Sequence, residues 1–230
     1  MELSKRLQAV ADLVTEGASV ADIGTDHGYI PIYLIEHNIA GKVIALDINR
    51  GPLERARMHV VGHGLKGKIE TRLSDGLEKV LPGEVDTMIA AGMGGGLVIK
   101  ILTEGYPVVE ILDTMILQPQ SEIPHFRTFL MEEGYLLLDE NIIYEEGKYY
   151  FMMKVRWLGE MSENAVRAQV RESWKADDAA SGLTGQFGPI LLFRKCPLLL
   201  NYVEWQLAEH RKIAKRLEQE ADAANPKTMW

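Results

Sequence analysis

Apolar residues at positions 3, 7, 10, 11 and 14 recur with a helical period, so the chain is expected to open on a helix over Leu3–Val14. Short β-type runs follow at Ser19–Ile23, Lys42–Asp47, Ile69–Leu73, Val85–Ala90 and Thr114–Leu117. Amphipathic stretches near Ile30–His37, Pro52–His63, Leu97–Thr103 and Glu122–Glu133 separate them. Strand and helix in strict alternation imply a parallel sheet covered on both faces, an α/β fold. Two longer β runs, Tyr135–Ile143 and Tyr149–Trp157, flank Tyr144-Glu145-Glu146-Gly147-Lys148 and read as an antiparallel hairpin at the sheet edge.

The pattern changes after Trp157-Leu158-Gly159, which divides the chain into an α/β domain over 1–160 and a helical hairpin over 161–230. Ser162 is expected to cap a helix running to about Ala180, and Pro197 to open or interrupt a second one running to about Ala223. Leu199, Val203, Leu207, Ala214 and Leu217 of the second helix fall largely on one stripe. Gly182, Gly185, Gly188 and Pro189 lie in the connection, and Asn225–Trp230 is expected to fray.

A single cysteine, Cys196, excludes a disulfide within the chain. No apolar run is long enough to cross a bilayer, and Met1–Gln8 lacks the apolar core of a signal peptide, so the expectation is a cytoplasmic protein without a membrane partner. The net charge of −8 argues against indiscriminate nucleic-acid binding. Its distribution is uneven: residues 1–160 carry a net −9, residues 161–230 a net +1. Arg211, Lys212, Lys215 and Arg216 cluster on the last helix, either as a solvated face or as a phosphate contact.

The chemistry concentrates at the strand ends. Val20-Ala21-Asp22-Ile23-Gly24-Thr25-Asp26-His27-Gly28 closes a strand with an acid and follows it with a glycine turn. Gly24 and Gly28 let backbone approach a ligand with no Cβ in the way. A second strand ends in Asp47, followed by Ile48, where a carboxylate can accept from two ribose hydroxyls. A third leads to Asp75-Gly76, where an acid can accept the exocyclic amine of an adenine. An Asp closing one strand is an ordinary turn former; three at successive strand ends, the first beside a glycine turn, point to a nucleotide-like ligand. A dinucleotide-binding dehydrogenase would need G-x-G-x-x-G, and Asp26 would repel its pyrophosphate. Gly92-Met93-Gly94-Gly95-Gly96 lacks the Gly-Lys-Ser/Thr ending of a phosphate loop. It reads as close backbone approach to cofactor and substrate, against the plainer reading of a turn that lets a helix pack on the sheet.

The order of these acids resembles the S-adenosylmethionine-dependent methyltransferases. Ala21–Tyr29, Ala90-Ala91-Gly92-Met93-Gly94-Gly95, Leu117-Gln118-Pro119-Gln120-Ser121 and Glu145-Glu146-Gly147-Lys148-Tyr149-Tyr150 are similar to the bacterial tRNA adenine-22 N1-methyltransferase family. The resemblance spans nearly the whole chain; one departure is Gly28, where many relatives are expected to carry alanine. It implies a Rossmann-like class I methyltransferase core with a coiled-coil-like C-terminal hairpin, S-adenosyl-L-methionine as cofactor, and tRNA as substrate. The expected cofactor contacts are Asp22, Gly24, Thr25, His27, Gly28, Asp47, Ile48, Asp75, Gly76, Ala91, Gly92 and Met93.

The expected catalytic residues are Asp26, Tyr29 and Gln118. Adenine N1 has a free lone pair, so alignment matters more than a base. Asp26 would stabilise the cationic product, contact the adenine amine, or order the cofactor's amino group. Tyr29 would stack or orient the base, or open a helix as a core residue. Gln118 would offer donor and acceptor to a base edge, or simply end a strand. His59 and His63 share a helix face at i, i+4, but no third ligand accompanies them and no metal is expected. The residues leave open methylation of a small molecule or protein, with the hairpin as lid or dimer surface, and a silent binding module. A monomer is the expected state.

Overall fold

Five of the β-type runs form parallel strands β1 (Ala18–Ile23), β2 (Ala40–Asp47), β3 (Ile69–Leu73), β4 (Thr87–Met93) and β5 (Thr114–Pro119) in the computed structural model, which describes residues 1–175 and 181–224. The hairpin β6 (Tyr135–Glu145) and β7 (Lys148–Trp157) completes a seven-stranded sheet of order β3-β2-β1-β4-β5-β7-β6. β7 runs antiparallel to β5, and β6 forms the edge. The chain builds outward from β1 to β3 and then returns to β1's other side with β4. That reversal opens a crevice at the carboxyl ends of β1 and β4, where ligands of such sheets bind.

Alternate residues of the central strands feed two cores. Val20, Val43, Ala45 and Ile89 pack under α1 (Lys5–Ala11), α2 (Tyr29–Glu36) and α3 (Arg50–Gly62). Ala21, Ile44, Leu46 and Met88 pack under α4 (Gly95–Glu104), α5 (Tyr106–Val109) and α6 (Ile123–Glu132). Both faces are covered, which is why these strands read as apolar runs and not as alternating ones. β4 extends three residues beyond the expected Ala90, and its pairing with β5 slips between Ala91 and Met93, around Gly92 at φ +82°. Bulges of this kind gather beside active sites.

The C-terminal helices differ in detail from the sequence expectation. α7 (Asn164–Trp174) has Glu163, not Ser162, at its N-cap; the Ser162 hydroxyl donates to Glu160 instead. The helix ends at Trp174, with Lys175 left-handed at φ 50°, and the expected continuation through residues 176–180 lies outside the described residues. Val166, Val170 and Trp174 enter the core under α6, so α7 packs on the sheet. The glycine-bearing connection forms two short helices, α8 (Ser181–Phe187) and α9 (Pro189–Phe193).

A buried ion pair holds that segment: Arg127 and Glu140 meet at 3.0 Å, Arg127 donates to the Gln186 carbonyl and the Ile190 N–H donates to Glu140. Pro197 opens α10 (Pro197–Ala224) and does not interrupt it. Of its stripe, Leu199 is buried and Val203 half-buried, whereas Leu207, Ala214 and Leu217 are exposed because no described element packs on them. Asn225–Trp230 lies outside the described residues. Among the described residues, no helix is long and apolar enough to cross a membrane.

Candidate active site

β1 carries a buried Asp22 one residue before its end at Ile23, and the chain then turns through Gly24 at φ +69°. That backbone angle favours glycine, and a Cβ there would also displace the Met93 methyl, the mobile end of a flexible side chain. Asp26, His27 and Gly28 follow with φ of 22°, 42° and 72° before α2 begins. Two non-glycine residues in that region cost about 1–3 kcal/mol each and persist only where neighbours hold them. Here the Thr25 N–H donates to the Leu46 carbonyl, the Gly28 N–H to the Thr25 carbonyl, and His59 Nδ1 to the His27 carbonyl at 2.8 Å. The left-handed Gly28 lies 3.3 Å from Ala56 where a Cβ would stand, which accounts for glycine at this position.

The turn forms one wall of a cavity of about 280 Å³. Asp22, Gly24, Thr25, Asp26 and Tyr29 line it from the β1 side, Ala91 and Gly92 from the β4 side, and Arg6 and Gln120 close it. Burial pushes the Asp22 carboxyl up to about 7, offset in part by the adjacent Thr25, while the charge of Asp47 raises it further. A carboxylate so held favours a cationic ligand, whose charge would restore its ionised form. Asp26 is exposed, with Oδ1 3.5 Å from both Arg55 and His27. The His27 ring stacks on Tyr29 at 5.3 Å and on His59 at 5.7 Å, which sets the exposed Tyr29 at the cavity lip.

Asp47 and Asp75 stand at the next two strand ends, beyond this cavity. Asp47 is buried; its Oδ1 accepts the Asn49 N–H at 2.7 Å and its carbonyl accepts the Ser74 N–H. Ile48 is exposed beside it. Asp75 is held by Lys100 at 3.3 Å, and with Gly76 it borders a separate hollow of about 260 Å³ against α4. A larger hollow of about 530 Å³ between α6 and α8 has no strand end at its wall, so size alone does not identify the site.

Two expectations change. Gln118 is fully buried, and its Oε1 accepts from Arg6 at 3.0 Å and from the Gly92 N–H at 3.1 Å while Nε2 donates to the Pro119 carbonyl. It faces the protein, not a base edge. The glycine cluster divides: Gly92 lines the cavity, whereas Gly95 lies 2.7 Å from the Ser121 carbonyl where a Cβ would stand, a helix-packing glycine. The two histidines of α3 take different partners: His59 Nδ1 donates to the His27 carbonyl, and His63 Nδ1 lies 2.6 Å from Glu36.

Arg6 and Gln120 were not singled out by sequence. Arg6 belongs to a helix that precedes the motif-bearing strands and carries no signal of its own. Gln120 sits two residues past Gln118, on the face the strand alternation would share, but beyond the proline that ends β5.

A family model described as a methyltransferase domain matches residues 3–153. A tRNA (adenine(22)-N(1))-methyltransferase of Bacillus subtilis is 35% identical, covering 99% of this chain and 90% of its own length. The crystal structure of the B. subtilis m1A22 tRNA methyltransferase TrmK has a TM-score of 0.81 at 34% identity, covering 96% of this chain and 89% of that one. M. capricolum TrmK, solved with S-adenosyl-homocysteine, has a TM-score of 0.75 at 29% identity, covering 99% and 91%.

Proposed function

Since the chain belongs to the bacterial tRNA (adenine-22-N1)-methyltransferase family, we infer that it moves the methyl group of S-adenosyl-L-methionine onto N1 of adenine 22 in tRNA. The observation that carries the reading is the cavity at the β1–β4 reversal, where a buried acid lies under a glycine turn and an exposed tyrosine and acid stand at the lip.

The residues present fit the cofactor. Asp22, buried and held near 7, suits an ammonium group. Gly24 and Gly92 leave room for backbone approach, and Asp47, whose Oδ1 takes the Asn49 N–H, stands at the next strand end to receive ribose hydroxyls. Bound there, S-adenosyl-L-methionine supplies a methyl on a positively charged sulfur. Adenine N1 is unprotonated at neutral pH, so the chain has no proton to remove. Its task is to hold the base in line, which can supply much of the rate. N1 lies on the pairing edge, so the base must leave any helix, at a cost of a few kcal/mol. Tyr29 offers it a stacking surface, and Asp26 offers a carboxylate where positive charge develops on the base.

Affinity for tRNA comes from the C-terminal segment, 161–230. Lys212 and Arg216 of α10 pair with Glu209 and Glu220 on their own helix. Arg211 and Lys215 have no carboxylate partner among the described residues and are available to phosphates. The test is methyl transfer from labelled cofactor to unmodified tRNA and to the same tRNA with adenine 22 replaced by guanine. Incorporation in the first alone is expected. Equal incorporation in both would displace the site of methylation, and incorporation only into a metabolite or protein pool would overturn tRNA as substrate.

A further inference from the structure

We propose that Tyr144 and Trp205, the exposed members of an aromatic cluster at the tip of the β6–β7 hairpin, stack an unpaired base of the tRNA strand that enters the cavity. The assignment deepens the tRNA reading above and rests on it.

The register of the sheet puts the cluster beside the cavity. β7 runs antiparallel to β5 with Leu117 opposite Met153. The end of β5 at Pro119 is therefore level with Phe151, and the turn between Glu145 and Lys148 projects past the carboxyl edge of the sheet, where the cavity opens. Successive residues of a strand point to opposite faces. Tyr150 turns toward α1, where Arg6 of the cavity wall lies 5.6 Å over its ring. Tyr149 and Phe151 turn toward α10. Tyr149 meets Tyr144, its partner across the hairpin, at 4.7 Å and Trp205 at 5.9 Å, and Tyr202 lies 6.0 Å from Trp205.

The cluster is anchored on its inner side and open on its outer side. Phe151 is buried and stands edge-on to Tyr202 at 4.9 Å, and Gln206 donates to the Tyr202 hydroxyl at 2.7 Å. Tyr144 and Trp205 remain 48% and 49% exposed, although rings of this size gain most from full burial. Rings already held in place lose little conformational freedom when a ligand stacks on them.

The surroundings select the kind of ligand. Lys148 in the turn is exposed, and Lys212 and Arg216 follow Trp205 by seven and eleven residues, on the same face of α10. Their partners Glu209 and Glu220 form solvent-exposed pairs on the same helix, weak enough to yield to phosphate. Glu145 at the turn already accepts the N–H groups of Lys5 and Arg6. Rings for bases beside cations for phosphates is the arrangement that holds single-stranded nucleic acid. A duplex offers no open base face, so the platform takes the strand in the unpaired state that reaction at N1 requires.

The test is binding of unmodified tRNA to the full-length protein across a salt series. Replacing Tyr144→Leu and Trp205→Leu together should weaken binding by about fivefold to a hundredfold, the range for one lost base–ring stack. The slope of affinity against salt should stay as it was, because stacking releases no counterions. Tyr144→Phe with Trp205→Phe keeps two rings and should restore most of the loss, and S-adenosylhomocysteine should bind all three proteins equally. Undiminished tRNA binding by the leucine variant, a loss that phenylalanine does not restore, or a changed salt slope would each overturn the proposal. So would sedimentation showing a dimer of the unaltered protein that the leucine variant splits, which would make the platform a contact between two copies. If the leucine pair fails to melt cooperatively, Trp205→Leu against Trp205→Phe decides. Absence of tRNA binding by the unaltered protein would overturn the tRNA reading itself, and this proposal with it.

Discussion

Replacing Asp22 by asparagine should stabilise the ligand-free protein at neutral and alkaline pH while weakening its hold on the cofactor. Burial raises the Asp22 carboxyl from 3.8 to about 7. Between those values the folded protein keeps a proton that the unfolded chain has released. The associated stability is complete below 3.8, declines as pH rises through the window, and is lost above 7. A shift from 3.8 to about 7 corresponds to an upper bound of about 4 kcal/mol. Water reaching the cavity reduces this, and asparagine must still satisfy its amide, so a gain of about 2 kcal/mol at pH 8 is reasonable. In a chain of this size that raises Tm by about 4–8 °C. Scanning calorimetry of both proteins from pH 5 to pH 9 should show the variant's advantage widening up to about pH 7 and then levelling off. Titration with S-adenosylhomocysteine at pH 6 should show proton release by the unaltered protein, seen as a buffer-dependent heat, and none by the variant. A Tm difference that ignores pH, or a variant less stable at pH 8, would refute the argument that Asp22 is a desolvated acid awaiting a cation.

Asp47→Ala should reduce cofactor affinity by about tenfold or more in the same titration, as for a lost pair of charge-assisted hydrogen bonds; unchanged affinity would remove the ribose assignment. Asp26→Asn should slow single-turnover methyl transfer at saturating tRNA and cofactor more than it weakens tRNA binding, and an unaltered rate would leave Asp26 without a catalytic role. Replacing Arg211, Lys212, Lys215 and Arg216 together by alanine should weaken tRNA binding and flatten its salt dependence with cofactor affinity unchanged; a normal salt slope would make α10 a solvated face. Arg127→Met should cost about 3–5 kcal/mol in urea unfolding, because Glu140 would be left buried and unpaired, and adding Glu140→Gln should restore part of the loss.

Much of this architecture is legible along the chain because its signals are local. Strands buried on both faces are continuous apolar runs, and their alternation with helices implies the parallel sheet. The Asp22–Gly28 segment declares a strand end and a tight turn by residue type alone, and Asp47 and Asp75 follow at the next two strand ends. Orientation and long-range partners are different. Whether Gln118 faces a ligand or the interior depends on Arg6, 112 residues away, and on the backbone at Gly92. Arg6 reaches the cavity because Glu145, 139 residues distant, accepts its backbone N–H. Ser121 decides that Gly95 is a packing glycine, and Arg127 meeting Glu140 inside the protein decides where the segment after α7 returns to the sheet. Periodicity reports which residues seek burial, whereas the charges and hydrogen bonds that complete a site need partners that only the folded chain brings within reach.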